Sequence, residues 1–540
     1  MSRRFSSDSA CHLSMSGRLH AEAPAGTLTA FAPVRSDPSA GPAPMSGRHT
    51  VSLLLLVCWA SPAGAADRPN VLFLFSDDQT FASIRALSDL PGGNGEIQTP
   101  NLDRLVARGT TFTRCYNMGG YHGAICVASR TMLVTGKSMW RAEKHEPALK
   151  SQDSDALAAT WPRRMSGAGY KTYFTGKWHV KAKAERLFDE ARHVRPGMPN
   201  QTPTGYGRPL ADGSDPWDPT DARHGGFWKG GTHWSEVVRA DAVDYIQDPE
   251  RGERPFFAYV AFNAPHDPRQ SPQEFLDRYP AEQVAVPASF LPEYPYARRM
   301  GAGPELRDSR LMEFPRTEYA VRVHRREYYA IITHMDEQIG LILDALDDAG
   351  LTEETLICFT SDHGLAVGHH GLVGKQNMYE HSLRVPFIVA GPAVPEGERR
   401  QSRIHLQDFG PTAMEAAGLE VPADWEFESL WPLIRGEETR EDPIYGAYTA
   451  KDQRAYVDGD HKLIAYPRVP VLRLFNLAED PSETKDLLEN PSLPKDSGGD
   501  ALGADVSRAE EMLRALRERA AELDDPLDYS VFEGLLRPAE

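Results

Sequence analysis

Four short apolar runs, each ending in acids, histidines or lysines, constrain this chain more than any other feature. Asn70-Val-Leu-Phe-Leu-Phe75 runs into Ser76-Asp77-Asp78-Gln79, and Gly169-Tyr-Lys-Thr-Tyr-Phe-Thr175 into Gly176-Lys177-Trp178-His179. Pro255-Phe-Phe-Ala-Tyr-Val-Ala-Phe262 leads to Asn263-Ala-Pro265-His266-Asp267-Pro268-Arg269, and Thr355-Leu-Ile-Cys-Phe-Thr360 to Ser361-Asp362-His363-Gly364. Continuous apolar runs of this length fit strands buried on both faces, as in a parallel sheet covered by helices. Open α/β sheets bind ligands at the carboxyl ends of their strands. Each tail alone has an ordinary explanation: a helix start for Asp77 and Asp78, a solvated loop for Lys177 and His179. Repetition at the same position of four strands points instead to one shared site. Adjacent buried carboxylates repel each other and lose hydration, and a cation relieves both costs. Asp77, Asp78, Asp362 and His363 are therefore candidate ligands, and their oxygen-rich donor set suits Ca²⁺ or Mg²⁺ better than zinc.

The intervening segments read mainly as scaffold. Thr99-Pro100 opens a short helix with Leu102, Leu105 and Val106 on one face and Gly109 as its stop. A further helical segment is expected near residues 155–167, and residues 195–232, rich in Pro, Gly and Asp, read as an irregular excursion. His233 and Trp234 precede a helix carrying Val237, Val238 and Ala242; His233 fits packing at the helix start better than a sugar pocket, although both are considered. Tyr328, Ile331, Ile332, Met335, Ile339, Ile342, Leu343 and Leu346 recur at helical spacing over residues 324–349, with Gly350 as the stop. A loop through Gly368, Gly371 and Gly374 then presents Lys375, before a strand over residues 385–390. Beyond about residue 435, a hairpin turning at Asp458-Gly459, a strand at Leu472–Leu477 and a charged amphipathic helix at Val506–Leu523 predict a small α+β subdomain. The expected organisation is an α/β catalytic domain over residues 66–435 and a C-terminal subdomain over 436–540, with an antiparallel sheet and a terminal helix.

Among 540 residues there are 59 basic and 77 acidic side chains, a formal charge of −18. An acidic surface favours solubility and argues against nucleic-acid partners, whose phosphates need a basic face. Met45 opens a basic start, a short apolar run and an Ala-x-Ala end at Ala63-Gly-Ala65, the pattern of a secretory signal peptide. Residues 45–65 are read as that signal, with Met45 as the true start and residues 1–44 as a mis-extended or disordered leader. The protein is thus expected to be exported, periplasmic or secreted. The apolar run is too short to span a bilayer. Of five cysteines, Cys11 and Cys58 fall in the leader; Cys115, Cys126 and Cys358 suggest no disulfide framework.

Cys126 sits in Gly119-Gly-Tyr-His-Gly-Ala-Ile-Cys126-Val-Ala-Ser-Arg130-Thr-Met-Leu-Val-Thr135-Gly136-Lys137. The glycines are expected to let the backbone approach a ligand. Ser129 and Arg130 offer a hydroxyl and a planar charged donor fork suited to an oxyanion. This stretch resembles the signature of the type I sulfatases, Cys-x-Pro-Ser-Arg followed by two apolar residues and Thr-Gly. Cys126, Ser129, Arg130, Leu133, Val134, Thr135 and Gly136 fit it; Ala128 stands in the proline position and Val127 is larger than the common residue. Thr99-Pro-Asn-Leu-Asp-Arg-Leu105 and Gly176-Lys-Trp-His179 resemble further family segments, and the likeness runs from Asn70 to about Leu488.

The resemblance implies an alkaline-phosphatase-like fold: a large, mostly parallel mixed sheet flanked by helices, with the smaller subdomain beside it. It also implies that a maturation enzyme oxidises Cys126 to formylglycine, which with Asp77, Asp78, Asp362 and His363 would share a Ca²⁺ or Mg²⁺ ion. Lys375 would polarise the sulfate, His266 would protonate the leaving oxygen, His179 would take the proton that releases sulfate, and Arg130 and Lys177 would orient the formylglycine. The implied activity is sulfate-ester hydrolysis, with sulfated carbohydrate as the substrate and choline sulfate or simple aryl sulfates as lesser options. Arg269, three residues past His266, is weighed both as a contact for a second substrate anion and as a structural salt bridge. The alternatives are a phosphonate or phosphodiester hydrolase on the same scaffold and a non-catalytic sulfated-glycan-binding protein.

Overall fold

The computed structural model describes residues 68–198, 203–488, 501–533 and 535. The expected leader and signal segment, with Cys11 and Cys58, lie outside the described residues. The larger sheet contains β1 (Asn70–Ser76), β2 (Gly109–Tyr116), β4 (Lys171–Lys177), β5 (Glu190–Arg195), β6 (Phe256–Ala261), β7 (Thr355–Ser361), β8 (Arg384–Val385), β9 (Phe387–Ala390) and β10 (Glu398–His405). Its order is β10-β2-β9-β7-β1-β6-β4-β5, with β8 paired to β2. The four apolar runs become the adjacent, mutually parallel strands β7, β1, β6 and β4. Ser76 stands opposite Ser361, Phe75 opposite Ala261, and Gly176 opposite Ala261, so the four polar tails leave the sheet side by side.

Every residue of β1 is buried, and its side chains alternate between two cores. Val71, Phe73 and Phe75 face one, where Phe73 meets Trp161 edge-on at 5.4 Å and stacks on Phe409 at 5.3 Å. Leu72 and Leu74 face the other, with Tyr245, Ile331, Met335 and Ile339. Helices therefore cover both faces, as expected for a parallel sheet. The helix expected over residues 324–349 spans Glu318–Asp348. Its extra first turns are held by the Thr317 hydroxyl, which accepts from the Ala320 N–H, and by packing of Val321 with Leu311, Met312 and Val373.

Some local expectations are corrected. Thr99 precedes the helix Pro100–Arg108, but its side chain does not cap it. The free N–H groups of Asn101 and Leu102 donate instead to the Asp336 carboxylate of the long helix, at 3.1 and 2.7 Å. Gly109 is not simply a stop: β2 begins there, and its neighbour β9 approaches so closely that a Cβ would lie 2.2 Å from the Val389 carbonyl oxygen. Strands β2, β5 and β10 have mixed polar composition and carry no clear apolar period in the sequence.

A second sheet follows the order β14-β13-β12-β11-β3, from β3 (Gly119–Gly120), β11 (Ile444–Tyr448), β12 (Gln453–Asp458), β13 (His461–Tyr466) and β14 (Val471–Asn476). β11 to β14 pair antiparallel, and the hairpin turns at Gly459 with φ +58°. The helix Ala501–Glu522 packs Ala509, Met512 and Leu516 into the same core as Tyr456, Leu463 and Leu474. The buried Arg454 fork grips Asp525 beyond that helix, with donor distances of 2.7 and 2.6 Å. Arg454→Ala should strand a buried carboxylate and cost about 3 kcal/mol, read as a lowered thermal midpoint; an unchanged midpoint would show that Tyr445 and Tyr529, which also donate to Asp525, suffice.

Candidate active site

The turn after β1 sets the site. Asp78 takes a left-handed conformation, φ +70°, which brings its carboxylate back beside that of Asp77. The strained backbone is tied on three sides: Asp78 N–H donates to Asp362 Oδ1 at 3.2 Å, Gln79 N–H to Ser361 Oγ at 2.9 Å, and the Tyr328 hydroxyl to the Asp78 carbonyl at 2.7 Å. The Tyr328 oxygen also accepts from Thr80 N–H at 3.0 Å. Neighbouring parallel strands and the long helix thus hold both acids in place. Asp77, Asp78 and Asp362 are completely buried.

Cys126 occupies the first turn of the helix Ile125–Thr135, where unpaired N–H groups and the helix dipole favour negative charge. The preceding glycines approach protein, not ligand. Gly119, at φ +92°, lies against β11 so tightly that a Cβ would be 2.0 Å from the Ala447 carbonyl oxygen. The C-terminal sheet thereby fixes the path into the cysteine. Ala128 fills the same core as Met132, Tyr445 and Ala447. Ser129 is buried and its hydroxyl contacts no described polar group. Arg130, one turn after Cys126, donates from Nε to Asp362 Oδ2 at 3.0 Å and from Nη1 to the Lys177 carbonyl at 2.7 Å, over the Phe75 ring.

The tails converge on the cysteine sulfur. Lys375 Nζ lies 3.2 Å from Sγ, Lys177 Nζ 3.3 Å, His363 Nε2 3.4 Å and Asp77 Oδ1 3.4 Å. Lys177 also pairs with Asp77, and Lys375 with Asp78 Oδ1 at 2.7 Å. Burial and Asp77 push the Cys126 thiol up, but Lys177 and Lys375 outweigh them and leave its pKa below the usual thiol value. Burial raises Asp78 well above the carboxylate range despite Lys375 and His363. Burial and Asp362 also raise Asp77, yet Lys177, His266 and Arg130 bring it down to about 2. For His363, burial opposes charging but Asp362 and Asp78 prevail, lifting it to about 9.

His266 donates from Nδ1 to its neighbour's carbonyl, Asp267 O, at 2.7 Å, which turns Nε2 toward Asp78 Oδ2 at 3.8 Å. Burial, Lys375 and Lys177 depress its basicity well below the ordinary value. His179, at φ +55°, is depressed to about 3 by burial and Lys177, and its Nε2 lies against Gly197.

Two weaker sequence candidates fall elsewhere. His233 is fully buried as the N-cap of the helix Trp234–Ile246; it accepts from Ser235 N–H, bonds the Gln270 carbonyl at 2.9 Å and stacks on Phe227. It packs the helix start. Arg269 is 2% exposed, sits over the Tyr328 ring and lies 3.4 Å from His324 Nδ1. It forms no ion pair among the described residues, which corrects the salt-bridge reading, and its Nε and Nη2 are buried without a hydrogen-bond partner among them. The sequence reading overlooked Arg307, Asp308 and Gln376. Arg307 reaches His266, and Asp308 accepts from Arg307 Nη2 at 2.6 Å and from Gln376 Nε2 at 2.7 Å. The segment of Arg307 and Asp308 has no apolar period or strand end, and only the fold brings it to the site, whereas Gln376 directly follows Lys375 in the glycine loop.

Ligand atoms of Asp77, Asp78, Cys126 and His363 all lie within 4.8 Å of one another. Asp78 Oδ2 is buried without a hydrogen-bond partner, and His363 donates from Nδ1 to the Gly364 carbonyl, aiming Nε2 into the cluster. An orphaned buried carboxylate oxygen and an inward imidazole fit a bound cation.

Comparison with known proteins agrees with this arrangement. The Sulfatase family model matches residues 69–419, and a model described as N-sulphoglucosamine sulphohydrolase, C-terminal, matches residues 368–496. A choline-sulfatase of Rhizobium meliloti is 28% identical over 458 residues, covering 79% of this chain and 84% of its own. An N-acetylglucosamine-6-O-sulfatase of Bacteroides thetaiotaomicron is 26% identical over 451 residues, covering 72% and 74%. A solved structure in complex with its substrate D-glucosamine-2-N,6-O-disulfate shares the fold at a TM-score of 0.63 and 22% identity, covering 86% of this chain and 100% of its own. A cysteine flanked by two lysines and three buried aspartates, on a sheet and sequence matched over most of their length, places this chain in the type I sulfatase family, with an alkaline-phosphatase-like fold, as a sulfuric ester hydrolase.

Proposed function

We propose that this sulfatase is exported and hydrolyses sulfate esters of carbohydrates, with Cys126 oxidised to formylglycine by a maturation enzyme and with Ca²⁺, or Mg²⁺, as its ion. The observation that carries the reading is the convergence on the Cys126 sulfur of Lys177, Lys375, His363 and Asp77, all within 3.4 Å. Asp77, Asp78, Asp362 and His363 would hold the ion together with position 126. A hydrated aldehyde there supplies a nucleophilic hydroxyl and a second hydroxyl through which sulfate can leave, and the cation supplies a fixed positive field for the sulfate oxygens.

The chain's own residues do the rest. Lys375, 3% exposed, and Lys177, fully buried, present desolvated positive charge where the sulfate must sit. His266 faces inward through Nε2, while its Nδ1–H is held by the Asp267 carbonyl. Once the ring takes a proton from solvent as the anionic ester binds, Nε2–H would be placed to pass that proton to the leaving oxygen, and the low basicity of the ring makes it a ready donor. His179, held neutral by burial and Lys177, is suited to accept a proton as sulfate departs. Arg130 fixes Asp362 and the end of β4 through its two bonds, which keeps the ion ligands and Lys177 in register. The carbohydrate assignment is supported by the names of relatives that act on glucosamine sulfates.

The test is turnover and mass together. Protein produced with a formylglycine-generating enzyme should release sulfate from 4-nitrophenyl sulfate and from monosaccharide sulfates, with kcat/KM for bis(4-nitrophenyl) phosphate at least about 100-fold lower. The tryptic peptide containing position 126 should be lighter than its thiol form, and the mature chain should begin at residue 66. Preference for the phosphodiester would install the phosphonate or phosphodiester reading. An unmodified thiol with sulfated-glycan binding and no turnover would leave a non-catalytic binding protein.

A further inference from the structure

Arg307 is the cation of this site that reaches solvent. Its side chain is 40% exposed, whereas those of Lys177, Arg130 and Lys375 are 0%, 0% and 2% exposed. It precedes the short turn Asp308–Leu311, and Nη2 approaches His266 Nε2 at 3.5 Å. Asp308 fixes the guanidinium by accepting from Nε at 2.8 Å and Nη2 at 2.6 Å, and Asp267 lies 3.4 Å from Nη2. Nη1 donates to no acceptor among the described residues.

These positions order the site from inside to outside. A sulfate group held by the sealed lysines leaves the remainder of the ester pointing outward. His266 stands at the scissile oxygen, and Arg307 stands one contact further along the leaving group. Two buried carboxylates hold its fork in one orientation, so little side-chain entropy remains to be lost when a ligand binds. They also offset part of its charge, which favours a fixed contact over general attraction of anions.

We propose that Arg307 is a specificity-determining residue whose Nη1 edge binds a second anionic group of the substrate, a sulfate or carboxylate carried near the scissile ester. The inference rests on the sulfatase reading of the pocket. It replaces Arg269, which is enclosed, with a guanidinium that a leaving group can reach.

The experiment compares wild type, Arg307→Ala and Arg307→Lys on four kinds of probe. These are 4-nitrophenyl sulfate, N-acetylglucosamine monosulfates, glucosamine disulfates and sulfated glucuronates. Wild type should show its lowest KM on a doubly anionic sugar, and the disulfate and uronate arms identify which anion is preferred. Arg307→Ala should raise that KM about tenfold or more beyond any change in KM for 4-nitrophenyl sulfate, while a fall in kcat through the contact with His266 would be shared by both probes. Arg307→Lys should recover part of the loss. Equal losses on every probe would make Arg307 a support for His266 and overturn the proposal, as would no loss on any. If wild type cleaves no sulfate ester, the sulfatase reading fails and takes this inference with it; if wild type is active and the variants do not discriminate, only the inference fails.

Discussion

Cys126→Ala protein is expected to melt at nearly the wild-type temperature yet to release sulfate at least about a thousandfold more slowly. The fold should tolerate the change because Cys126 is 1% exposed and contributes a single sulfur atom to a packed first turn. Its charged neighbours retain each other: Lys177 keeps Asp77, Lys375 keeps Asp78, and Arg130 keeps Asp362. The chemistry should not tolerate it. Cys115 and Cys358 are also free, but burial raises both thiols far above the usual range and neither touches the lysines. No described residue can therefore take over at the centre of the cluster. The measurement is initial-rate sulfate release with thermal unfolding on the same preparation. Wild-type activity in the variant would remove formylglycine from the mechanism.

The central sheet was legible because strands buried on both faces need continuous apolar sequence, and Asn70–Phe75 or Thr355–Thr360 admit few other uses. Their parallel alignment put Asp77, Lys177, His266 and Asp362 at one end, which the repeated polar tails had foreshadowed. The edge was harder to read. β10, Glu-Arg-Arg-Gln-Ser-Arg-Ile-His, is exposed along half its length and shows no apolar run. Gly119 and Gly120 looked like a ligand loop, and only the arrival of β11 more than 300 residues later reveals them as a strand. Burial likewise separates Arg269 from Arg307. Both lie near His266, but which one faces solvent depends on the placement of Tyr328 and Asp308 around it, a long-range property that local spacing does not encode.

Asp78→Asn isolates the ion from the rest of the site. The substitution keeps the side-chain shape and removes one charge. In the metal-free protein the amide oxygen of the variant can still accept from Lys375, which donates to Asp78 Oδ1 at 2.7 Å, so losing the charge should alter stability by no more than about 1–2 kcal/mol. With an ion the balance reverses. Asp78 Oδ2 has no hydrogen-bond partner in the protein, and the adjacent Asp77 and Asp362 carboxylates share the burden of negative charge. A cation binding all three would stabilise the folded state by RT ln(1 + [ion]/Kd), about 4 kcal/mol at a thousand times Kd. Removing one ligand charge should weaken Ca²⁺ at least about 100-fold, or about 2.7 kcal/mol. Wild type should therefore gain thermal stability as Ca²⁺ is titrated, while Asp78→Asn gains little at the same concentrations, carries less than stoichiometric metal and loses sulfate release by at least about a thousandfold. An equal Ca²⁺-dependent rise in both proteins would remove Asp78 from the ligand set. Stoichiometric zinc in the wild type, resistant to Ca²⁺ exchange, would overturn the choice of ion, because a site that clusters Asp77 and Asp78, with Asp362 beside them, would then be selecting a metal that usually prefers nitrogen and sulfur.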